Sequence, residues 1–465
     1  MATLIEQKPL YSQLPVGQEV IFVVSNTPIL SNPIFTNFRF IADVYISDTI
    51  PTSISSTSTP TATFKTAPNN AGVGIFDFKQ VVENYVSADN MAGTQSKYKG
   101  TATSDDTPHP LHLIDKYSRN KKAARWLTIQ FKTQYTDASG DVVIPEALFQ
   151  NSVDYQIFNG YLKYTDELSI FNNDFGFDLG NFNLSSPTDR FLTNAPATQY
   201  ANLEDYGTIA FLAPNANLSY MQLIYKNSAG VQIGTEDVNR TWTNGAYTTF
   251  TTQIFYRLLY FGCFPANLQN WSTTFQNLVS PVDQMSGGSI VIEAFDDSDN
   301  EISKKYTINI NCPNLKGFES IRLCWLNQWG AWDYYTFTQK SVRSISTKGS
   351  TYEQLAGTWN EASYRVDSYK GGKKAFRVNA TEKITMNTDF VSESENDMFE
   401  ELINSPEVYI LEGYQTDVSF SALNQYVKPV RLTTSSFTKK TVANDKLIQY
   451  TFEVEKSKTL RTQSV

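Results

Sequence analysis

Histidine, cysteine and charge are scarce in this chain. Its 465 residues hold two histidines and three cysteines, and charged residues make up 18%. Metal and acid–base centres draw heavily on His and Cys, so few of the usual constellations can be assembled. The histidines, His109 and His112, lie in TPHPLHLID with Asp115 close by. That spacing can join a metal site, but Pro110 disfavours helix at His109 and no HExxH pattern exists. A loop pair without function is the preferred reading. Cys263, Cys312 and Cys324 have no CxxC spacing. Their odd number argues against a secreted disulfide scaffold and for a reducing compartment. Long apolar runs are missing as well. The longest, IFYRLLYFGCF at 254–264, is interrupted by Arg257 and too short to span a bilayer. It reads as a buried strand or pair of strands. MATLIEQKPL has neither a basic start nor an apolar core, so no signal peptide is expected.

Motif searches add little chemistry. DDSDNE at 296–301 starts like a calcium loop, but the sixth position is Glu301 and the twelfth Thr307, where Gly and Glu are needed. NAGVG and YKGGKK match neither a P-loop nor a dinucleotide fingerprint, and GxSxG does not occur. Nothing marks a carboxylate pair for sugar hydrolysis. The chain is therefore expected to be no enzyme, with no catalytic residue, cofactor or metal. A net charge of −9 argues against sequence-specific nucleic-acid binding. The basic run RNKKAAR at 119–125 reads as a solvated face.

What the chain does have is aromatic and β-branched residues, with 26 Tyr and 30 Phe among them. These pack well on pleated sheets. FRFIADVYI (38–46), WLTIQFKTQY (126–135), SPEVYIL (405–411) and KLIQYTFEVE (446–455) read as strands. In the second, Leu127, Ile129 and Phe131 alternate with Thr128, Gln130 and Lys132; in the last, Ile448, Tyr450, Phe452 and Val454 share a face. Segments 220–238 and 289–310 are each strand, polar turn, strand, with turns KNSAG and DDSDN. Short helices are expected at DFKQVVENYV (77–86), with an Asp-x-x-Gln start, and at 392–404, with a Ser392-x-x-Glu395 capping box. The fold class is mainly β: antiparallel sandwich or barrel domains built from hairpins, with a smaller C-terminal α+β unit. Soft boundaries give a β-rich segment 1–118, a central antiparallel part 119–343 and an α+β domain 344–465.

One stretch stands apart. CWLNQWGAWDYYTF (324–337) puts three tryptophans into a third hairpin, running in along IRLCWL and out along AWDYYTFTQ. Trp325 sits on the ingoing strand, Asn327 and Gly330 frame the bend, and Asp333 is placed to accept backbone N–H bonds that fix it. A structural corner is the favoured reading. The functional reading is an exposed Trp329/Trp332 platform for a glycan or a protein partner.

Several pieces together carry a resemblance: NFRFIADVYI, VGIFDFKQVVENYV, CPNLKGFESIRLCWLNQWGAWDYYTFTQ, ENDMFEELINSPEVYIL, PVRLTTSSFTKKT, KLIQYTFEVEKS and RTQS. In this layout the chain resembles virion structural proteins of tailed bacteriophages of Bacteroidota, including crAss-like phages. The resemblance implies a non-enzymatic tail or head–tail connector ring protein. It would be made in the bacterial host cytoplasm and reside in the tail or neck of the virion. Its partners would be copies of itself, in a cyclic ring of six or twelve, and other tail or portal proteins, with no membrane span. The alternative is a fibre or receptor-binding protein using Trp329 and Trp332 on host glycan. A secreted glycan-binding protein or hydrolase is a third option, disfavoured by the missing signal peptide.

Overall fold

The computed structural model describes residues 2–48, 54, 58–88, 117–120, 123–167, 178–212, 218–239, 258–311, 317–359, 362–367, 369–412, 427–441, 448–458 and 460–461. His109, His112, Asp115 and Cys312 lie outside these residues, as do 254–257 of the long apolar run. The architecture is mainly β, with antiparallel and mixed sheets and a few short helices. The chain divides into two compact units. The first comprises residues 1–313, 326–334 and 413–424; the second comprises 314–325, 335–412 and 425–465.

In the first unit, a seven-stranded sheet is organised around two long partners. Thr36–Ser47 pairs antiparallel with Ala124–Thr136 along most of its length. The boundary expected near 118 therefore divides a sheet, and it falls inside the strand Tyr117–Asn120. A three-stranded sheet contributes Phe22 and Phe76, and the seven-stranded one Phe131 and Tyr155. Phe22 lies 5.6 Å from the rings of both Phe131 and Tyr155, and Phe76 lies 5.9 Å from Phe131. Facing rings at that distance make the sandwich core. The expected alternation at 126–135 is present as a pleat, but both of its sides are covered. Thr128 and Gln130 are buried along with Leu127, Ile129 and Phe131. The apolar run at 258–264 yields one buried strand, Leu258–Phe261, followed by the helix Pro265–Trp271.

A single turn design recurs along the chain, at 69–73, 137–141, 227–231, 296–300 and 327–331. In each, the opening Asn or Asp side chain accepts from the backbone N–H groups two and four residues on, at 2.8–3.1 Å. The fourth residue takes positive φ: Gly72 (77°), Gly140 (85°), Gly230 (76°), Asp299 (58°) and Gly330 (70°). Short Asx side chains satisfy donors that a tight bend leaves open, and glycine takes the left-handed position at little cost. The turns expected at KNSAG, DDSDN and NQWG are of this kind.

The second unit is α+β. An eight-stranded sheet runs in the order Trp332–Phe337, Ile321–Leu326, Val408–Leu411, Val427–Leu432, Thr451–Lys456, Gly372–Asn387, Val342–Gln354, with Leu460–Arg461 also on Gly372–Asn387. The helix Asn396–Asn404 buries Met398, Phe399 and Leu402. Phe399 reaches Tyr335 at 5.0 Å and Phe452 at 5.4 Å. The capping box is formed: the Ser392 N–H donates to Glu395 Oε2 at 2.6 Å. Ile448, Tyr450, Phe452 and Val454 are all buried, as their alternation predicts. The boundary expected near 343 falls inside the strand Val342–Gln354, and the unit also takes in 314–325 and 335–341.

The turns differ in what surrounds them. A Cβ on Gly140 or Gly230 would meet nothing within 4 Å, whereas one on Gly330 would fall on the carbonyl oxygen of Asn159. Gly230→Ala is expected to cost about 1–2 kcal/mol, the left-handed penalty alone. Gly330→Ala is expected to cost about 1–3 kcal/mol more, from overpacking, and Gly330→Val to lose the fold. Urea unfolding of the two alanine variants checks this; equal costs would contradict the docked tip.

Candidate functional site

Every residue singled out in the aromatic hairpin is buried. Trp325 is 0% exposed, Trp329 1% and Trp332 2%, while Asn327 and Asp333 are buried as well. The exposed Trp329/Trp332 platform is thus corrected. Both rings face protein, because the tip 326–334 packs within the first unit. Trp329 stacks obliquely on Phe182 with centroids 4.1 Å apart, and its Nε1 donates to Asn194 Oδ1 at 3.4 Å. The Tyr161 N–H donates to the Gln328 carbonyl at 2.7 Å, and the Tyr260 hydroxyl to the Gly330 carbonyl at 3.3 Å.

Asn327 is used at both ends of its amide. Its Oδ1 closes the turn, and its Nδ2 donates to the Leu192 carbonyl at 2.9 Å. Aspartate closes the same turn at 137 and 296 but has no donor to offer Leu192. The residue choice follows from burial, since an exposed tip can leave that carbonyl to water.

Asp333 does not fix the turn, contrary to its expected role. Its Oδ1 accepts from the Thr193 hydroxyl at 2.6 Å, tying the outgoing strand to the 192–195 segment. Its Oδ2 is buried with no hydrogen-bond partner. Both sit at a small cavity lined by Thr193, Thr208, Phe264, Tyr306, Trp332 and Tyr334, among others. Burial pushes the Asp333 carboxyl up to about 6, against the opposing pull of Thr193, Asn327 and the Asn194 N–H. Beside it, burial and then the Asp333 charge push the Tyr306 hydroxyl well above its ordinary range. Oδ1 is spent on Thr193 while Oδ2 is left without a partner, and the arrangement is a buried clamp held through one oxygen. Burial also raises the thiols of Cys263 and Cys324, which are free and inert in their surroundings. Among the described residues, no group of three His, Cys, Asp or Glu side chains is placed to hold a metal.

The feature that sequence reading missed is an arm. Val342–Gln354 and Gly372–Asn387 pair antiparallel from Val342↔Thr385 to Gln354↔Gly372, with a register shift between Ser350 and Thr351. Among the described residues, other strands meet this hairpin only from residue 379 onward. Residues 348–378 therefore form a two-stranded ribbon, tipped by a small hairpin of Gly357–Trp359 and Tyr364–Val366. Apolar side chains stand exposed on it: Leu355 is 78% exposed, Tyr369 73%, Val366 70% and Trp359 68%. Residues 342–376 hold eight of the 23 large exposed hydrophobic residues described, so exposure is concentrated there. VRSISTKGSTYEQ reads as polar, which is why the segment drew no attention; the Gly371–Gly372 pair, both at positive φ, was the available signal.

No family model matches the chain, and no curated protein does. Among solved structures, a likeness is found to E. coli alpha-2-macroglobulin in its native conformation, at 7% identity and a TM-score of 0.18. It covers 83% of this chain and 22% of that one, so the chain spans about a fifth of that structure's length. A likeness that weak carries no argument about fold or function.

The Asp333 carboxyl, raised in the folded chain, binds its proton more tightly there than when unfolded. Its contribution to stability is thus present at low pH and is lost as pH rises through about 6. The unfolding free energy of the wild type minus that of Asp333→Asn is expected to fall between about pH 4 and about pH 6.5, then level off. Urea titrations across that range measure it; a flat difference contradicts a buried, raised carboxyl.

Proposed function

We propose that this chain is a non-enzymatic structural subunit of a bacteriophage virion. Within that role the reading is a tail or head–tail connector ring protein that assembles with its own copies and with other tail or portal proteins. The observation that carries it is the arm at 348–378. A two-stranded ribbon without further cover is marginal in water. Clustered exposed apolar side chains on such a ribbon favour a protein contact, and open strand edges favour pairing with another chain. An assembling subunit gains from such an arm, because association covers what folding leaves bare. The resemblance in layout to tailed-phage virion proteins supports the same role. The fibre alternative rested on Trp329 and Trp332 as a glycan platform, and both are buried.

Two measurements test the proposal. Light scattering on the purified chain is expected to give a closed oligomer of six or twelve copies. Peptide mass spectrometry of purified particles of the encoding phage is expected to find the chain at a stoichiometry matching a ring. A monomer in solution together with absence from particles would contradict it.

A further inference from the structure

We infer that the arm of one copy is received by the first unit of a second copy of this chain. The inference rests on the structural-subunit reading and names the partner. It follows from where the charge lies. The arm, 348–378, carries six Lys and Arg against three Asp and Glu. The rest of the second unit is balanced, thirteen against thirteen, while the first unit holds 19 Lys and Arg against 31 Asp and Glu. The positive excess of the second unit thus sits in its arm, and the negative excess of the chain in the first unit. Lys348, Lys373 and Arg377 are exposed on the ribbon, and Leu355, Trp359 and Val366 stand exposed near its tip. An arm with apolar residues among cations fits an acidic protein surface that can bury the one and pair with the other.

Charge also excludes one geometry. Two arms repel, so arm does not pair with arm across a two-fold axis. Arm to first unit can be exchanged reciprocally between two copies or passed head to tail; in the proposed ring it is the head-to-tail contact, which closes where the rotation divides the circle. Seven paired residues, Lys348 to Gln354, carry the tip about 20 Å along the ribbon. Nucleic acid is the other polyanion such an arm could meet. An excess of three charges is small for that task, since duplex binders neutralise about six to ten phosphates, and exposed Leu and Val offer nothing to a phosphate backbone.

The test uses the full chain with a photo-crosslinking amino acid in place of Trp359. Equal amounts of ordinary and nitrogen-15-labelled protein are mixed, dissociated, reassembled and irradiated with duplex DNA present. Cross-linked peptides are expected to join light to heavy chains and to map from the arm into residues 1–313. Cross-links within one label only, from arm to arm, or to DNA would overturn the inference. In a second arm, Lys348→Glu, Lys373→Glu and Arg377→Glu are combined. Association is expected to weaken about tenfold or more at about 50 mM salt, with unchanged circular dichroism; unaltered association would overturn the charge argument. If the chain is found in particles but light–heavy cross-links never form, the inference falls and the structural reading stands. If it is found in neither state, both fall.

Discussion

The closure of the aromatic hairpin depends on one amide. Asn327 holds the bend through two N–H bonds to its Oδ1 and fastens the tip through Nδ2 to the Leu192 carbonyl. Gly330 makes that approach possible, because any side chain there would meet the Asn159 carbonyl. Trp329 against Phe182 and Asp333 against Thr193 then lock the two sides of the tip. An aromatic pair adds about 0.5–1.5 kcal/mol beyond its buried area. Missing bonds at buried amides cost about 1–3 kcal/mol each, so loss of Asn327 costs more than its neighbours contribute. Three tryptophans in fourteen residues are thus explained as the filling around a turn that has been moved from the surface into a core.

The two ends of the second unit's sheet are treated differently. The strand Trp332–Phe337 is mostly buried, whereas Val342–Gln354 is mostly exposed. The first spends its aromatic residues on packing. The second runs into a ribbon that leaves Leu355, Trp359 and Val366 exposed near its tip and also carries the unit's excess of positive charge. Natural edge strands are commonly blunted by lysines, and Lys348 fits that pattern. Tryptophan, leucine and valine at the tip do not, and the assembly contact proposed above is our reading of them.

Much of the β architecture was legible because its signals are local. Asx-x-x-Gly turns and alternating strands act over a few residues, so KNSAG, the bend at Asn327–Gly330 and the face of Ile448, Tyr450, Phe452 and Val454 could be read directly. The capping box at Ser392 and Glu395 is local in the same sense. What was not legible depends on distant partners. The pairing of Thr36–Ser47 with Ala124–Thr136 abolishes the boundary expected near 118, and nothing in either strand names the other. Parallel pairs such as Gln13–Pro15 with Tyr155–Phe158 leave no turn to signal them. Burial of Trp329 and Trp332 was undecidable from spacing, since a surface platform and a buried corner need the same residues. Asp333 was assigned to the turn because it lies nearby, yet its partner Thr193 is 140 residues away in sequence. The arm was missed because Ser and Thr mask a long strand as a loop.

An arm that joins subunits must be covered in the assembled protein. Hydrogen–deuterium exchange of residues 348–378, compared between assembled and dissociated protein, measures this. Slow exchange on assembly across both strands and the tip, with fast exchange after dissociation, is the expected result. Equally fast exchange in the two states would show that the arm remains bare, and would contradict its role as the element that joins subunits.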